Sequence, residues 1–330
     1  MKKIAVVFNG GTISMKVDEK IHAAVPNLTG EEIMAKVRGI EDYAEIEDHT
    51  FSSLPSPHMT IELMTELSKF ISGLIKREDI DGVVITHGTD TLEETAYFLD
   101  LTIKTNKPIV VTGAMRSSSE LGYDGPANLT AAICTAASKE SEDRGVLVCF
   151  NGELNSAKEV TKANSMALNA FRTPNFGPIG IVDNNRVIFY REVADCDYIP
   201  IEKVSEKVAI IKCAAGIEND FINLAIENGY KGIVIEALGR GNVPPTMVEP
   251  IKRAIDKGIV VVLTSRCFEG RVYDSYGYAG GGKELTNMGV ILGESMPSQK
   301  IRIKLLLLLS AKYSYKDIKE SFEKDLYTNL

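Results

Sequence analysis

The sequence predicts an α/β fold, with a larger N-terminal doubly wound, mainly parallel sheet domain and a smaller C-terminal α/β domain. Three observations carry this. Short β-branched runs alternate with helical patterns along almost the whole chain, as in a parallel sheet covered on both faces. At 330 residues the chain exceeds ordinary single-domain length. The alternation breaks once, from about residue 179 to 207, and then resumes. The expected organisation is therefore a first domain over 1–190, a linker over 191–207 and a second domain over 208–330.

Taken in order, Ile4-Ala5-Val6-Val7-Phe8 reads as a buried strand, ended by the Gly-rich turn Asn9-Gly10-Gly11-Thr12-Ile13-Ser14. Thr29-Gly30-Glu31-Glu32 spells a capping box ahead of Ile33, Met34 and Val37, so a helix starts there. Thr60 caps a longer helix, whose Ile61, Met64, Leu67, Ile71, Leu74 and Ile75 keep the 3.6-residue period. Gly82-Val83-Val84-Ile85 is the next strand. It ends in Thr86-His87-Gly88-Thr89-Asp90-Thr91, and a helix follows over 92–103. A strand over 108–112 leaves through Gly113-Ala114-Met115-Arg116. Asp124-Gly125-Pro126-Ala127-Asn128 then opens a helix to about 138, with Pro126 near its first position. Residues 146–150 form a further strand, and Asn184-Asn185 marks a hairpin between short strands. The stretch 191–207 is charged, contains Pro200 and keeps no period, which makes it the linker. Beyond it, 208–212, 232–237 and 259–263 read as strands and 221–227 and 247–256 as helices. Helices from about 297 to 311 and from Ser314 close the chain.

Composition excludes several classes. With 44% hydrophobic and 25% charged residues the chain is ordinary globular protein. A net charge of −8 argues against a nucleic-acid partner and against an anionic membrane face. The leucine run over 305–309 is far short of the ~20 residues that span a bilayer. The apolar run behind Met1-Lys2-Lys3 is too short for a signal h-region. Cys134, Cys149, Cys196, Cys213 and Cys267 are odd in number and form no CxxC pair, and Cys149 and Cys213 read as small buried hydrophobes. A reducing cytoplasm fits that usage.

Four histidines (His22, His49, His58 and His87) without HxxxH spacing or an acidic cluster predict no metal. The turn after the first strand lacks both GxGxxG and the P-loop spelling, which argues against a nucleotide cofactor, and no GxSxG elbow appears, which disfavours the usual serine hydrolase of this sheet type. Threonine remains. Thr12 follows glycines that let the main chain approach a ligand, and Thr89 is followed by Asp90, able to anchor an α-ammonium group. A hydroxyl is a poor nucleophile without a base or an oxyanion site. The segment Lys158-Glu159-Val160-Thr161-Lys162-Ala163-Asn164 offers a lysine, which burial beside a threonine lets lose its proton near neutral pH. Singly, such a threonine is ordinarily a helix cap and such a lysine a solvated surface group.

Jointly, these segments resemble the bacterial-type L-asparaginase family. The resemblance rests on Gly10-Gly11-Thr12-Ile13, the 86–91 turn, Gly113-Ala114-Met115-Arg116, Asp124-Gly125-Pro126 with Asn128, and Val160-Thr161-Lys162. It covers the full length. It implies hydrolysis of L-asparagine to L-aspartate and ammonia without a cofactor. Thr12 would be the nucleophile, while Thr89, Lys162 and Asp90 would form a second polar group. The Thr89 N–H would help hold the oxyanion, and Asp90 the substrate α-ammonium. Ser56, in Leu54-Pro55-Ser56-Pro57-His58, would bind the α-carboxylate, and the Ala114 carbonyl the leaving nitrogen. Asn242, in Gly239-Arg240-Gly241-Asn242, would be lent to a neighbouring subunit, so the resemblance implies a homodimer or homotetramer with shared sites. Two departures stand out. Residues 13–30 lack the tyrosine that relatives carry beside the nucleophile, and Pro57 replaces a common glutamine, which predicts reduced activity on glutamine. No tyrosine of the 273–282 segment is assigned to the vacant role.

Two other readings are open to the sequence. An asparaginase-like subunit of a tRNA-dependent amidotransferase uses the same site to make ammonia, but such subunits carry an extra N-terminal domain, whereas the first strand here begins at residue 3. A non-catalytic amino-acid binding protein would have no need of a lysine beside a threonine.

Overall fold

The computed structural model describes residues 1–324 apart from 38, 194–196, 219 and 294. Cys196 and part of the expected linker lie outside the described residues. The chain divides into two units after Tyr198.

In the first unit the strands are β1 (Lys2–Asn9), β2 (Met15–Asp18), β3 (Ala23–Pro26), β4 (Ala44–Ser52), β5 (Gly82–His87), β6 (Ile109–Thr112), β7 (Val146–Phe150), β8 (Glu153–Ser156), β9 (Thr161–Lys162), β10 (Phe171–Arg172), β11 (Gly180–Asp183) and β12 (Arg186–Phe189). Its α-helices are α1 (Gly30–Met34), α2 (Ile61–Ile75), α3 (Leu92–Thr102) and α4 (Gly125–Ala137). Eight strands form one sheet in the order β12-β11-β8-β7-β6-β5-β1-β4. β4, β1, β5, β6 and β7 run parallel, and β8, β11 and β12 extend the sheet antiparallel. The hairpin β2–β3 and the pair β9–β10 stand apart from it.

The apolar runs behave as their lack of alternation implies: both faces are buried. Ala5 and Val7 of β1, Val83 and Ile85 of β5, and Ile109 and Val111 of β6 pack with Leu67 and Ile71 of α2 and Leu92, Ala96 and Leu99 of α3. Ile4, Val6, Phe8, Val84, Val110 and Leu147 point the other way, toward Ile33 of α1 and Leu129, Ala132 and Ile133 of α4. The period-2 geometry of a strand thus feeds two helical layers. Helix starts follow the expected chemistry. Thr29 and Glu32 form a reciprocal capping box, and the Thr60 hydroxyl accepts the Leu63 N–H.

The chain holds more strand than its sequence pattern implies. β4 lies between two helix signals, and β8 to β10 fall in a stretch with no expected element. Among the described residues, Cys134, Cys149 and Cys213 are buried and free, and burial pushes the Cys149 thiol up to about 12.

The second unit carries a four-stranded parallel sheet, β13 (Val208–Lys212), β14 (Gly232–Ala237), β15 (Val260–Ser265) and β16 (Ile291–Leu292), in sequence order. Helices α5 (Asp220–Glu227), α6 (Val248–Asp256), α7 (Gly282–Asn287), α8 (Ser298–Ser310) and α9 (Tyr315–Glu323) accompany it. The leucine run lies in α8, a helix buried on most sides, where Leu305 to Leu308 are buried and Gly232 of β14 leaves room for Leu305. No helix among the described residues is long and apolar enough to cross a membrane.

Candidate active site

The turns that leave β1, β4 and β5 are packed backbone against backbone, and glycine makes this possible. β1 runs into Gly10 (φ 72°) and Gly11 (φ 85°, ψ −179°), and the Gly11 conformation is essentially closed to other residues. A Cβ on Gly11 would sit 2.3 Å from both the Cα and the N of Gly88, the residue after β5. One on Gly10 would sit 2.3 Å from the Leu54 carbonyl oxygen, and one on Gly88 2.6 Å from the Cβ of Ser56. The chain leaves β1 for β4 on one side, then crosses back to β5 on the other. Ligands of open α/β sheets bind at the carboxyl ends of strands where the order reverses in this way.

Each expected residue of the first unit takes its place on this frame. Thr12 is half-buried and opens a single 3₁₀ turn, Thr12–Ser14, whose Ser14 N–H and hydroxyl both donate to the Gly11 carbonyl. Thr89 is buried in the turn beyond Gly88. Its N–H has no hydrogen-bond partner among the described residues. Ser56 is buried too. Its hydroxyl oxygen accepts the Asp90 N–H at 3.2 Å, and its carbonyl accepts the Thr91 hydroxyl at 2.8 Å. Ala114 is fully buried after β6, and a Cβ on Gly113 would meet the His87 carbonyl oxygen at 2.4 Å.

Lys162 arrives from β9. Its Nζ donates to the Thr89 hydroxyl oxygen at 2.9 Å and to the Asp90 carboxylate at 2.7 Å. The lysine side chain is 15% exposed and that of Asp90 61%, so the carboxylate keeps room for a second cation. From the sequence, Lys162 is an amine poised to release its proton; the structure seats it as donor to a hydroxyl and ion partner of a carboxylate. A threonine, a lysine and an aspartate joined in this way, beside a second threonine in a glycine turn, suit hydroxyl-based acyl chemistry.

The family model described as "Asparaginase, N-terminal" matches residues 3–195, and "Glutaminase/Asparaginase C-terminal domain" matches 207–322. The chain belongs to the asparaginase family. It is 38% identical to the L-asparaginase of Bacillus licheniformis, over 97% of this chain and 99% of that one. It is 32% identical to a glutamyl-tRNA(Gln) amidotransferase subunit of Methanobrevibacter smithii, over 98% of this chain and 76% of that one. The crystal structure of a probable cytoplasmic L-asparaginase from Campylobacter jejuni superimposes with a TM-score of 0.88 at 34% identity, covering 98% of this chain and 99% of that one.

Three further residues packed around this cluster have no role in the sequence analysis. His87 is buried, and its Nδ1 lies 2.8 Å from the Gly88 carbonyl oxygen. A carbonyl only accepts, so Nδ1 carries the proton and Nε2 accepts the Thr95 hydroxyl at 2.9 Å. Burial lowers the imidazole pKa to about 4, which keeps the ring neutral. Glu93, buried at the start of α3, accepts the Thr161 hydroxyl at 3.0 Å and the Lys162 N–H at 3.2 Å through one oxygen. Tyr123 donates to the Ile13 carbonyl at 2.6 Å. Only Glu93 has a local signal: two adjacent glutamates at a helix start point in different directions, and one of them can turn inward. Asn242 belongs to the second unit, in a tight loop closed by an isolated bridge to Leu238; its buried Oδ1 has no hydrogen-bond partner among the described residues.

Proposed function

We propose that the protein hydrolyses L-asparagine to L-aspartate and ammonia with Thr12 as nucleophile. The observation that carries this reading is the Thr89–Lys162–Asp90 cluster on a turn that touches the turn of Thr12. The Thr12 hydroxyl oxygen attacks the side-chain amide carbon and its proton passes to the departing nitrogen. The Thr89 N–H stabilises the oxyanion that forms. Collapse of the intermediate breaks the C–N bond, releases ammonia and leaves an aspartyl ester on Thr12. Lys162 occupies a lone pair of the Thr89 oxygen and so aims its O–H outward. Thr89 thereby orients the water whose attack on the ester frees aspartate and restores Thr12. Asp90 holds the α-ammonium, Ser56 the α-carboxylate and the Ala114 carbonyl the leaving nitrogen.

Asn242, which lies in the part of the chain that the family's C-terminal domain matches, completes the site of a second copy in a homodimer or homotetramer. We place the protein in the cytoplasm, as the name of the Campylobacter relative supports. Pro57, in the Ser56–His58 turn, biases the pocket against the longer glutamine.

The deciding experiment is ammonia release from asparagine and glutamine at matched concentrations. Wild type turns over asparagine faster, while Thr12→Ala and Lys162→Met lose ~10³-fold or more with folding intact. Either variant near wild-type turnover overturns the role given to that residue. Equal rates on the two amides overturn the role of Pro57. The amidotransferase relatives favour one alternative, ammonia made for a partner; turnover that appears only with a partner and tRNA would establish it.

A further inference from the structure

The carbonyls of Ile13, Ser14 and Met15, which directly follow Thr12, are each held from elsewhere in the chain. Ser14 O accepts the N–H groups of Asn27 and Leu28, at the foot of the β2–β3 hairpin. Ile13 O accepts the Tyr123 hydroxyl at 2.6 Å. Met15 O accepts the N–H and the hydroxyl of Ser118, and the Val17 N–H donates to the Ser119 hydroxyl oxygen. Residues 118–123 therefore form a clasp over the nucleophile's turn, from about a hundred residues away in sequence.

The clasp's other end is the turn after β6. The Asp124 carboxylate accepts the N–H groups of Met115 and Arg116, and Asn128 Nδ2 donates both to Asp124 and to the Gly113 carbonyl. The Tyr123 ring is fixed as well: a Cβ on Gly125 would lie 2.5 Å from it, and Lys36 Nζ sits 5.4 Å from its centre. Phenylalanine would satisfy that packing. What the hydroxyl adds is the bond to Ile13 O.

We infer that Tyr123 is a positioning residue for Thr12. Its hydroxyl sets the rotation of the Ile13–Ser14 peptide, just beyond Thr12. The clasp thereby keeps the attacking hydroxyl in register with the Gly113–Ala114 turn, where the amide nitrogen departs. Burial, with the Asp124 charge adding to it, raises the phenol pKa, so the hydroxyl stays a donor at every working pH. The inference rests on the reading of Thr12 as nucleophile. It also supplies a tyrosine to the neighbourhood where residues 13–30 have none, acting on the backbone instead of on the proton.

The test is Tyr123→Phe, with steady-state ammonia release and thermal melting. Misplacement of a reacting group by about 1 Å can cost ~10²-fold in rate, so kcat should fall ~10-fold or more. KM should stay within ~2-fold, because no group that binds substrate is touched. Tyr43→Phe, which removes only an exposed hydroxyl bonded to Asn185, should keep wild-type kcat. Unchanged kcat in Tyr123→Phe, or a loss seen wholly in KM, overturns the inference. Should that variant not fold, Ser118→Ala carries the test: it removes one of the two donors to Met15 O, kcat should fall ~3-fold, and unchanged kcat refutes the clasp. Wild-type protein without turnover would defeat the functional reading; wild-type turnover with unaffected clasp variants defeats only this inference.

Discussion

Gly11→Ala tests whether the close approach of two turns builds the site. Two costs can be worked out separately. Alanine at φ 85°, ψ −179° occupies a region essentially reserved to glycine, a strain of ~1–3 kcal/mol. The new Cβ would lie 2.3 Å from Gly88 Cα, against ~3.5 Å for an ordinary carbon–carbon contact, so the turns must part by roughly 1 Å. Both partners are backbone, and no side chain can swing aside. Since Thr12 and Thr89 each follow these glycines directly, the displacement passes to both hydroxyls, and kcat should fall ~10²-fold. The comparator is Gly177→Ala, at φ 73° with nothing within 4 Å, which carries only the left-handed strain of ~1–2 kcal/mol. Ammonia release and thermal melts on both variants separate the effects. Gly11→Ala should lose stability and turnover, Gly177→Ala stability alone. A Gly11→Ala protein with near wild-type kcat would refute the argument that the contact sets the geometry of the site.

Three further outcomes are expected. His87 has a pKa of about 4 in the fold against 6.5 unfolded, so the unfolded chain binds more protons between those values and stability falls as pH drops through that window. The loss amounts to ~3 kcal/mol, and urea melts from pH 7 to 4 should show a shallower decline in His87→Asn; an equal slope would contradict this. Lys107 Nζ donates to the carbonyls of Ile75, Arg77 and Ile80, closing the end of α2, so Lys107→Met should cost ~2–4 kcal/mol in urea melts with kcat unchanged. Glu93→Gln should lower kcat ~10-fold or more at constant KM, since an amide cannot accept both bonds from β9 as strongly; wild-type kcat would exclude a role for the carboxylate.

The central strands were legible because burial on both faces writes them as apolar runs: β1, β5, β6 and β7 carry little else. β4 was not, because it is an edge. Its Glu45, Glu47 and His49 break the run, and Glu47 pairs with Lys3 and Arg77, charges that also discourage edge-to-edge association. β9 and β10 are two residues each, too short for any period to register. At the site, the glycine turns carrying Thr12 and Thr89 show in the sequence, since only glycine permits such packing. The clasp through Tyr123 does not. Its bonds join side chains to carbonyls about a hundred positions apart, and no local pattern encodes them.

Lys162 poses the sharper problem, because β9 cannot hold itself. A two-residue ladder with β10 leaves its own lysine poorly determined. The restraint comes from Glu93, whose single oxygen binds both the Thr161 hydroxyl and the Lys162 N–H. Glu93 lies four residues beyond Thr89, in the first turn of α3, whose Thr95 also bonds His87 at the end of β5. One strand–turn–helix unit therefore presents Thr89 and also anchors the backbone of the lysine that bonds it, so their separation of 2.9 Å is set within a few residues. The arrangement has a cost. The second Glu93 oxygen is buried with no hydrogen-bond partner among the described residues, a penalty of ~1–3 kcal/mol. An apolar residue would avoid that penalty but would release β9. A buried carboxylate at this position makes physical sense where the placement of the lysine outweighs the stability forgone.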